Sequence, residues 1–309
     1  MTDEAAIDLV SLSPVDQKPI NGSSPPPEKI KCLLAFGVTV LGTGFASAMI
    51  VLNNDRVPMT QPPLPDFLFD LFPRTEFAFQ LAECIMLCLI ITMLVIILLH
   101  HHKWIIFRRI FVMMGLLYLF RGVCVYVTTL PNPRTDKQCA TPAGSVMEAW
   151  ARVFALFSRI GLSVAGQNYC GDLIFSGHTI SITGLYLYIN EYTPTNLRVL
   201  RSASFIFSTF GIFLVLISRE HYTIDVIVAY YLVTRMFWTY HTVANFPALQ
   251  KQSRYNLLCR NFLHPIVVFF ECNVGGPVPN EFVSPRTISN YIAGYRPLNF
   301  MARTASWWQ

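Results

Sequence analysis

Cys170-Gly171-Asp172-Leu173-Ile174-Phe175-Ser176-Gly177-His178-Thr179 brings a histidine to the threshold of an apolar run. About forty residues further on, His221-Tyr222-Thr223-Ile224-Asp225 opens another such run. Two apolar segments lie between the histidines, so a chain that crosses a bilayer leaves one face and returns to it. Both imidazoles then stand on the same side. This spacing implies an all-α, polytopic membrane bundle whose polar chemistry gathers at one face.

The composition agrees. Of 309 residues, 53% are hydrophobic and 13% charged, against about 25% charged in ordinary soluble domains. Mean hydropathy is +0.45. Six apolar runs are long enough to cross, at about 32–52, 77–99, 105–130, 175–190, 202–218 and 223–243. The fourth is the shortest of them. Gly37, Gly42 and Gly44 in the first run suit close helix contact in lipid. Residues 146–165 carry Glu148, Arg152 and Arg159 within partly apolar sequence, the pattern of a helix lying in the interface. The expected organisation is a disordered cytosolic tail (1–29), a six-span catalytic domain (30–245) and a cytosolic C-terminal tail (246–309). No cleavable signal peptide is evident, so the first run is expected to act as an uncleaved signal-anchor.

Lys and Arg set the orientation. Lys103, Arg108, Arg109, Arg198, Arg201, Lys251, Arg254 and Arg260 fall on one side of a six-span model. Arg56, Arg74, Arg134 and Lys137 fall on the other, so the bias is partial. It places both termini in the cytosol, with His178, His221 and Asp225 at the lumenal or extracellular face. The net charge of +5 then reflects basic loops, and no nucleic-acid partner is expected. Cys139 and Cys170 share the non-cytosolic loop, where an oxidising lumen would allow them to pair.

His221 and Asp225 are four residues apart, hence neighbours on a helical face. A carboxylate on one ring nitrogen leaves the other as a nucleophile. His178 follows Ser176-Gly177 at a helix start, where backbone N–H groups favour a phosphate oxyanion. A second imidazole opposite the nucleophile can protonate a departing alkoxide and later take a proton from an acceptor. Phosphoryl transfer between two imidazoles requires neither metal nor cofactor. A single histidine at a span end is more simply an interfacial cap, but the two motifs together carry the chemical reading.

Ser176-Gly177-His178 with His221 and Asp225 resembles the lipid phosphatase (phosphatidic acid phosphatase type-2) superfamily. The resemblance is closer to its sphingomyelin synthase branch. It extends through Pro62-Pro63-Leu64-Pro65-Asp66, Arg121 followed by Tyr126-Val127-Thr128-Thr129-Leu130-Pro131, the 170–179 motif, the run from His221 to Thr242, and Phe269-Phe270-Glu271-Cys272-Asn273-Val274. The resemblance implies a lipid-phosphatase-like bundle with a lumenal site. It also implies ping-pong transfer of phosphocholine from phosphatidylcholine to ceramide, giving sphingomyelin and diacylglycerol, in the Golgi, the plasma membrane or both.

Carried over, His221 is the nucleophile, Asp225 orients it and His178 is acid and then base. Asp172 and Glu148 would seat the headgroup, with Tyr169, Tyr222 and Phe175 as candidate aromatic neighbours for a quaternary ammonium. The superfamily's Lys-x(6)-Arg-Pro motif is missing, and Arg219 stands closer to His221 than the superfamily's arginine does to its nucleophile. Arg121 is the candidate for meeting phosphate charge; the alternative is a buried pair with Glu83 or another polar group. Ceramide phosphoethanolamine synthesis from phosphatidylethanolamine is the sister activity, and lipid phosphate hydrolysis the more remote one. The expected partners are the two lipids and the bilayer, with homo-oligomerisation left open. His100-His101-His102 reads as an interfacial anchor, and Glu83 as an interhelical polar contact.

Overall fold

The computed structural model describes residues 25–134, 136, 138–159 and 169–283. The expectations for the N-terminal tail up to residue 24, for Lys137, for residues 160–165 of the amphipathic stretch and for the chain beyond Val283 lie outside the described residues. Every regular element among the described residues is helical. Each of the six apolar runs is one long helix: α1 (Lys29–Asn54), α3 (Ala78–Leu99), α4 (Lys103–Val127), α6 (Gly177–Tyr192), α7 (Arg198–Ile217) and α8 (Thr223–Asn245). Shorter helices decorate them: α2 (Phe67–Leu71), α5 (Val146–Ser158), α9 (Pro247–Gln250) and α10 (Leu263–Glu271).

Four of the six, α1, α3, α4 and α7, are long and apolar enough to cross a membrane by length and composition. α6, at 16 residues, is the shortest of the six, and both α6 and α8 carry polar side chains among their buried residues. α6 packs against α3, α7 and α8, so much of its surface meets protein and can carry Thr179, Thr183 and Tyr192, all buried. α8 likewise buries Asp225, Thr234 and His241. The two helices that bear the histidines are thus the least lipid-like of the six.

α1 and α4 are the most intimately paired. A Cβ on Gly42 would stand 2.0 Å from the Gly115 carbonyl oxygen, and one on Gly115 would stand 2.6 Å from the Val38 backbone. Thr39 Oγ1 donates to the Phe111 carbonyl across the same seam (2.7 Å). Without a hydrophobic drive between helices in lipid, close backbone approach of this kind supplies the packing energy. Of the three glycines singled out in α1, only Gly42 makes it; Gly37 and Gly44 face open space.

At the end of the bundle away from the histidines, Arg108 and Arg109 are wholly buried rather than lying in a basic loop. Arg109 Nη2 meets Glu271 Oε2 at 2.7 Å, and Arg108 Nη1 meets Glu28 Oε2 at 2.8 Å. Tyr240 donates to the second oxygen of Glu271 (3.0 Å), and Arg109 donates to Tyr192 (3.0 Å). The segment after α8, expected to be a tail, therefore folds back through α10 and closes the bundle. His100 is buried as well, bridged to Phe282, so it clamps the returning chain instead of anchoring an interface.

α5 packs on α1 and leaves Val146, Met147, Trp150 and Phe154 exposed, as the amphipathic reading required. Gly42→Leu should lower the thermal stability of the detergent-solubilised protein, overpacking costing about 1–3 kcal/mol. Gly37→Ala, with room around it, should leave the melting temperature unchanged or raise it. Equal melting temperatures for Gly42→Leu and wild type would refute the close seam.

Candidate active site

The 170–179 stretch is held from four directions. Its first residue is bridged to Cys139 by a disulfide. The end of α1 grips the next turn: Asn53 Nδ2 donates to the Gly171 carbonyl (2.9 Å), and the Cys170 N–H donates to Asn54 Oδ1 (3.1 Å). Only glycine fits at 171, since a Cβ would stand 2.8 Å from the Asn53–Asn54 peptide. Arg121, buried in α4, donates from Nε to the Phe175 carbonyl (2.9 Å) and pairs through Nη2 with Asp172. A Cβ at Gly177 would lie 3.2 Å from that guanidinium, so the glycine of the Ser-Gly-His triplet lets the arginine lie against the start of α6. Finally, the Ser176 N–H reaches the Asp225 carbonyl (3.4 Å), tying the starts of α6 and α8 together.

These contacts tie the 170–179 stretch to Arg121 and to Asp225 at the starts of α6 and α8. His221 Nδ1 lies 3.1 Å from the Leu173 carbonyl and 3.8 Å from Asp225 Oδ2. A carbonyl only accepts, so Nδ1 carries the proton and Nε2 keeps its lone pair. The orienting hydrogen bond thus comes from the motif backbone, with the Asp225 carboxylate just beyond it. That carboxylate accepts the Tyr222 N–H (3.0 Å) and caps its own helix. His178 Nε2 lies 3.5 Å from Glu83 Oε1, and its ring meets Phe79 edge-on at 4.8 Å. Phe79 and Glu83 are one turn apart on α3 and hold His178 between them.

Asp172 joins the two histidines electrostatically. Burial pushes its carboxyl up, but Arg121, then His221 and, more weakly, His178 pull it down, leaving it below the ordinary aspartate value. A third of its side chain is still accessible. The N-termini of α6 and α8 are thus joined near this carboxylate, and helix N-termini favour a phosphate oxyanion.

Glu148 bonds Arg152 (2.5 Å) and accepts the Gly144 N–H (2.9 Å). Arg219 donates to the Phe69 and Phe72 carbonyls (2.6 and 3.2 Å), bracing the first loop. The same loop supplies two contacts the sequence did not announce. Asp66 accepts from the Thr223 N–H (2.7 Å) and hydroxyl (2.6 Å), capping α8 from outside. The Tyr222 hydroxyl bridges the Leu64 N–H and the Pro131 carbonyl, both at 3.0 Å, while its ring stacks on Phe69. Glu83 had a readable signal, an ionisable side chain inside an apolar run. Asp66 had only its place in the resemblance.

Residues 169–242 match the family model described as PAP2 superfamily C-terminal, a span that begins at the disulfide-held loop and ends in α8. The chain is 40% identical over 262 residues to human sphingomyelin synthase-related protein 1, covering 84% of this chain and 62% of that protein. It is 41% identical over 264 residues to human phosphatidylcholine:ceramide cholinephosphotransferase 1 (84% and 64%). With mouse phosphatidylcholine:ceramide cholinephosphotransferase 2 it shares 40% over 264 residues, 84% of this chain and 72% of that one. The fold and paired histidine motifs are thus those of a PAP2-superfamily membrane protein. Within that class, the chain belongs to the sphingomyelin synthase family. It spans less than two thirds of the length of the two human relatives.

Asp172→Asn should destabilise the protein only where the carboxylate is ionised. The folded carboxyl titrates below the unfolded value of about 3.9, so the stabilisation is fully present above that pH and fades as pH falls through the folded value. Thermal unfolding of wild type and variant should differ at neutral pH and converge in acid. A gap that persists unchanged in acid would show disturbed packing rather than lost charge.

Proposed function

We propose that this chain transfers phosphocholine from phosphatidylcholine to the primary hydroxyl of ceramide, yielding sphingomyelin and diacylglycerol. The observation that carries the reading is that the two histidine motifs are joined, Ser176 N–H to the Asp225 carbonyl and His221 Nδ1 to the Leu173 carbonyl, in a chain whose relatives are named for this transfer. His221 Nε2 attacks phosphorus while the bond to the diacylglycerol oxygen breaks, and His178 gives that oxygen a proton. The ceramide hydroxyl then yields its proton to His178 and attacks phosphorus, releasing His221. The Leu173 carbonyl and Asp225 support the charge that develops on the His221 ring. Glu83 fixes the His178 ring and serves as its counter-charge when doubly protonated. Asp172 faces the headgroup's cation, and Arg121 holds Asp172 in place.

In this reading α6 and α8 cross the bilayer as the fourth and sixth spans, and both termini are cytosolic. The site faces the lumen or the cell exterior, in the Golgi or the plasma membrane. The Cys139–Cys170 bridge supports this, because such bonds persist in oxidising compartments and this one adjoins the catalytic motif.

Labelled ceramide fed to cells lacking their own synthase, with both phosphatidylcholine and phosphatidylethanolamine present, should give sphingomyelin. His178→Ala and Glu83→Gln should lower its formation, the first by about 10²–10⁴-fold and the second by less. His221→Ala should abolish it. Phosphoethanolamine-ceramide as sole product would overturn the headgroup assignment, and phosphocholine release without ceramide would point to hydrolysis.

A further inference from the structure

Between α4 and α8 the bundle is incompletely closed. A groove of about 160 Å³ lies there, walled by Leu117 and Phe120 of α4 and by Leu232 and Met236 of α8, with Phe175 and Phe262 also lining it. We propose that this groove seats a hydrocarbon chain of a lipid substrate and that Phe262 limits the chain length accepted. The inference rests on the phosphocholine-transfer reading and adds a chain-binding subsite to it.

Position argues first. At about 1.5 Å per residue, Leu117 lies roughly 6 Å along α4 from Arg121. By the same rise, Leu232 and Thr239 lie roughly 10 and 21 Å along α8 from Asp225. A lipid whose phosphate sits between the histidines must send its tails in that direction. Phe175 makes the connection physical. Its carbonyl holds Arg121 (2.9 Å), its ring lines the groove, and its backbone is left-handed at φ 68°. A bulky non-glycine residue adopts that conformation only when its surroundings impose it.

Size and lining argue next. Pockets for whole drug-sized ligands run to about 300–1,000 Å³, so this one holds a stretch of a single chain rather than an entire lipid. Its walls are apolar except for Arg235, Thr239 and Asn261, which α8 and the chain after it place at the Phe262 end. A hydrocarbon chain gains nothing by passing them. Phe120 and Phe262, 39% and 56% exposed, meet at 5.4 Å between centroids and form the outer edge. Phe262 precedes α10, whose Glu271 is fixed by Arg109, so the stop is mounted on an anchored element.

Two measurements on the full chain in membranes test this. In the first, ceramide N-acyl length is varied at fixed donor, and then donor acyl length at fixed ceramide. Leu232→Trp should cut the ratio of long-chain to short-chain turnover by about tenfold or more, and Phe262→Ala should shift the preference to longer chains. The series that responds identifies which lipid supplies the chain. In the second, ceramide or phosphatidylcholine carrying a diazirine in its tail is photolysed with the His221→Ala protein, which cannot turn the lipid over. Labelling should concentrate on 117–120 and 232–236 and fall on competition with unlabelled lipid. Labels spread evenly over outward residues such as Phe205 and Ile206, with chain-length ratios unmoved, would overturn the groove. Labelling of the groove, together with no product from the wild-type chain with either donor, would instead overturn the transfer reading.

Discussion

A guanidinium buried in a membrane helix cannot be left without partners, and much of the site's construction follows from how Arg121 finds them. Both partners, the Phe175 carbonyl and Asp172, belong to one loop. Satisfying the arginine therefore pulls that loop onto α4. Gly177 leaves room for the approach, Ser176 is brought to Asp225, and His178 is delivered to Glu83. Removing one member of a buried ion pair costs about 3–5 kcal/mol in general, because the other is left uncompensated. The clasp is thus a positional device: its energy is spent on the geometry of the histidines.

The bundle concentrates polar groups at two ends and keeps the seam between them dry. At one end two imidazoles and three carboxylates border the proposed reaction space. At the other, two arginines and two glutamates neutralise one another. Between them α1 and α4 meet backbone to backbone at Gly42 and Gly115. An apolar middle between polar ends suits a protein whose solvent changes from water to hydrocarbon and back.

The fold was legible because span-length hydrophobicity is a signal of composition, which local sequence carries. All six runs became helices, with ends shifted by a few residues. Of the candidate site, His178, His221, Asp225, Asp172 and Arg121 stand out in the sequence because each is a polar group where an apolar segment has no structural use for one. Glu148 gave a weaker signal, because an exposed glutamate near a helix start is equally well explained by capping, and it does accept the Gly144 N–H there. The pairing of Arg121 with Asp172, of Glu83 with His178 and of Asp66 with Thr223 depends on interhelical register, and no local pattern encodes that. Likewise, hydropathy marks Arg108 and Arg109 as basic but says nothing of a glutamate some 160 residues later that buries them.

That last contact has a consequence for how the molecule is made. A ribosome delivers the chain from its first residue onward, so α4 is in place long before Glu271 emerges. Until α10 arrives, Arg109 lacks Glu271, the carboxylate it pairs with. The nascent protein therefore remains electrostatically unfinished until synthesis has passed the whole catalytic region. A product truncated before α10 would keep both histidine motifs and still lack the glutamate that Arg109 is built to meet.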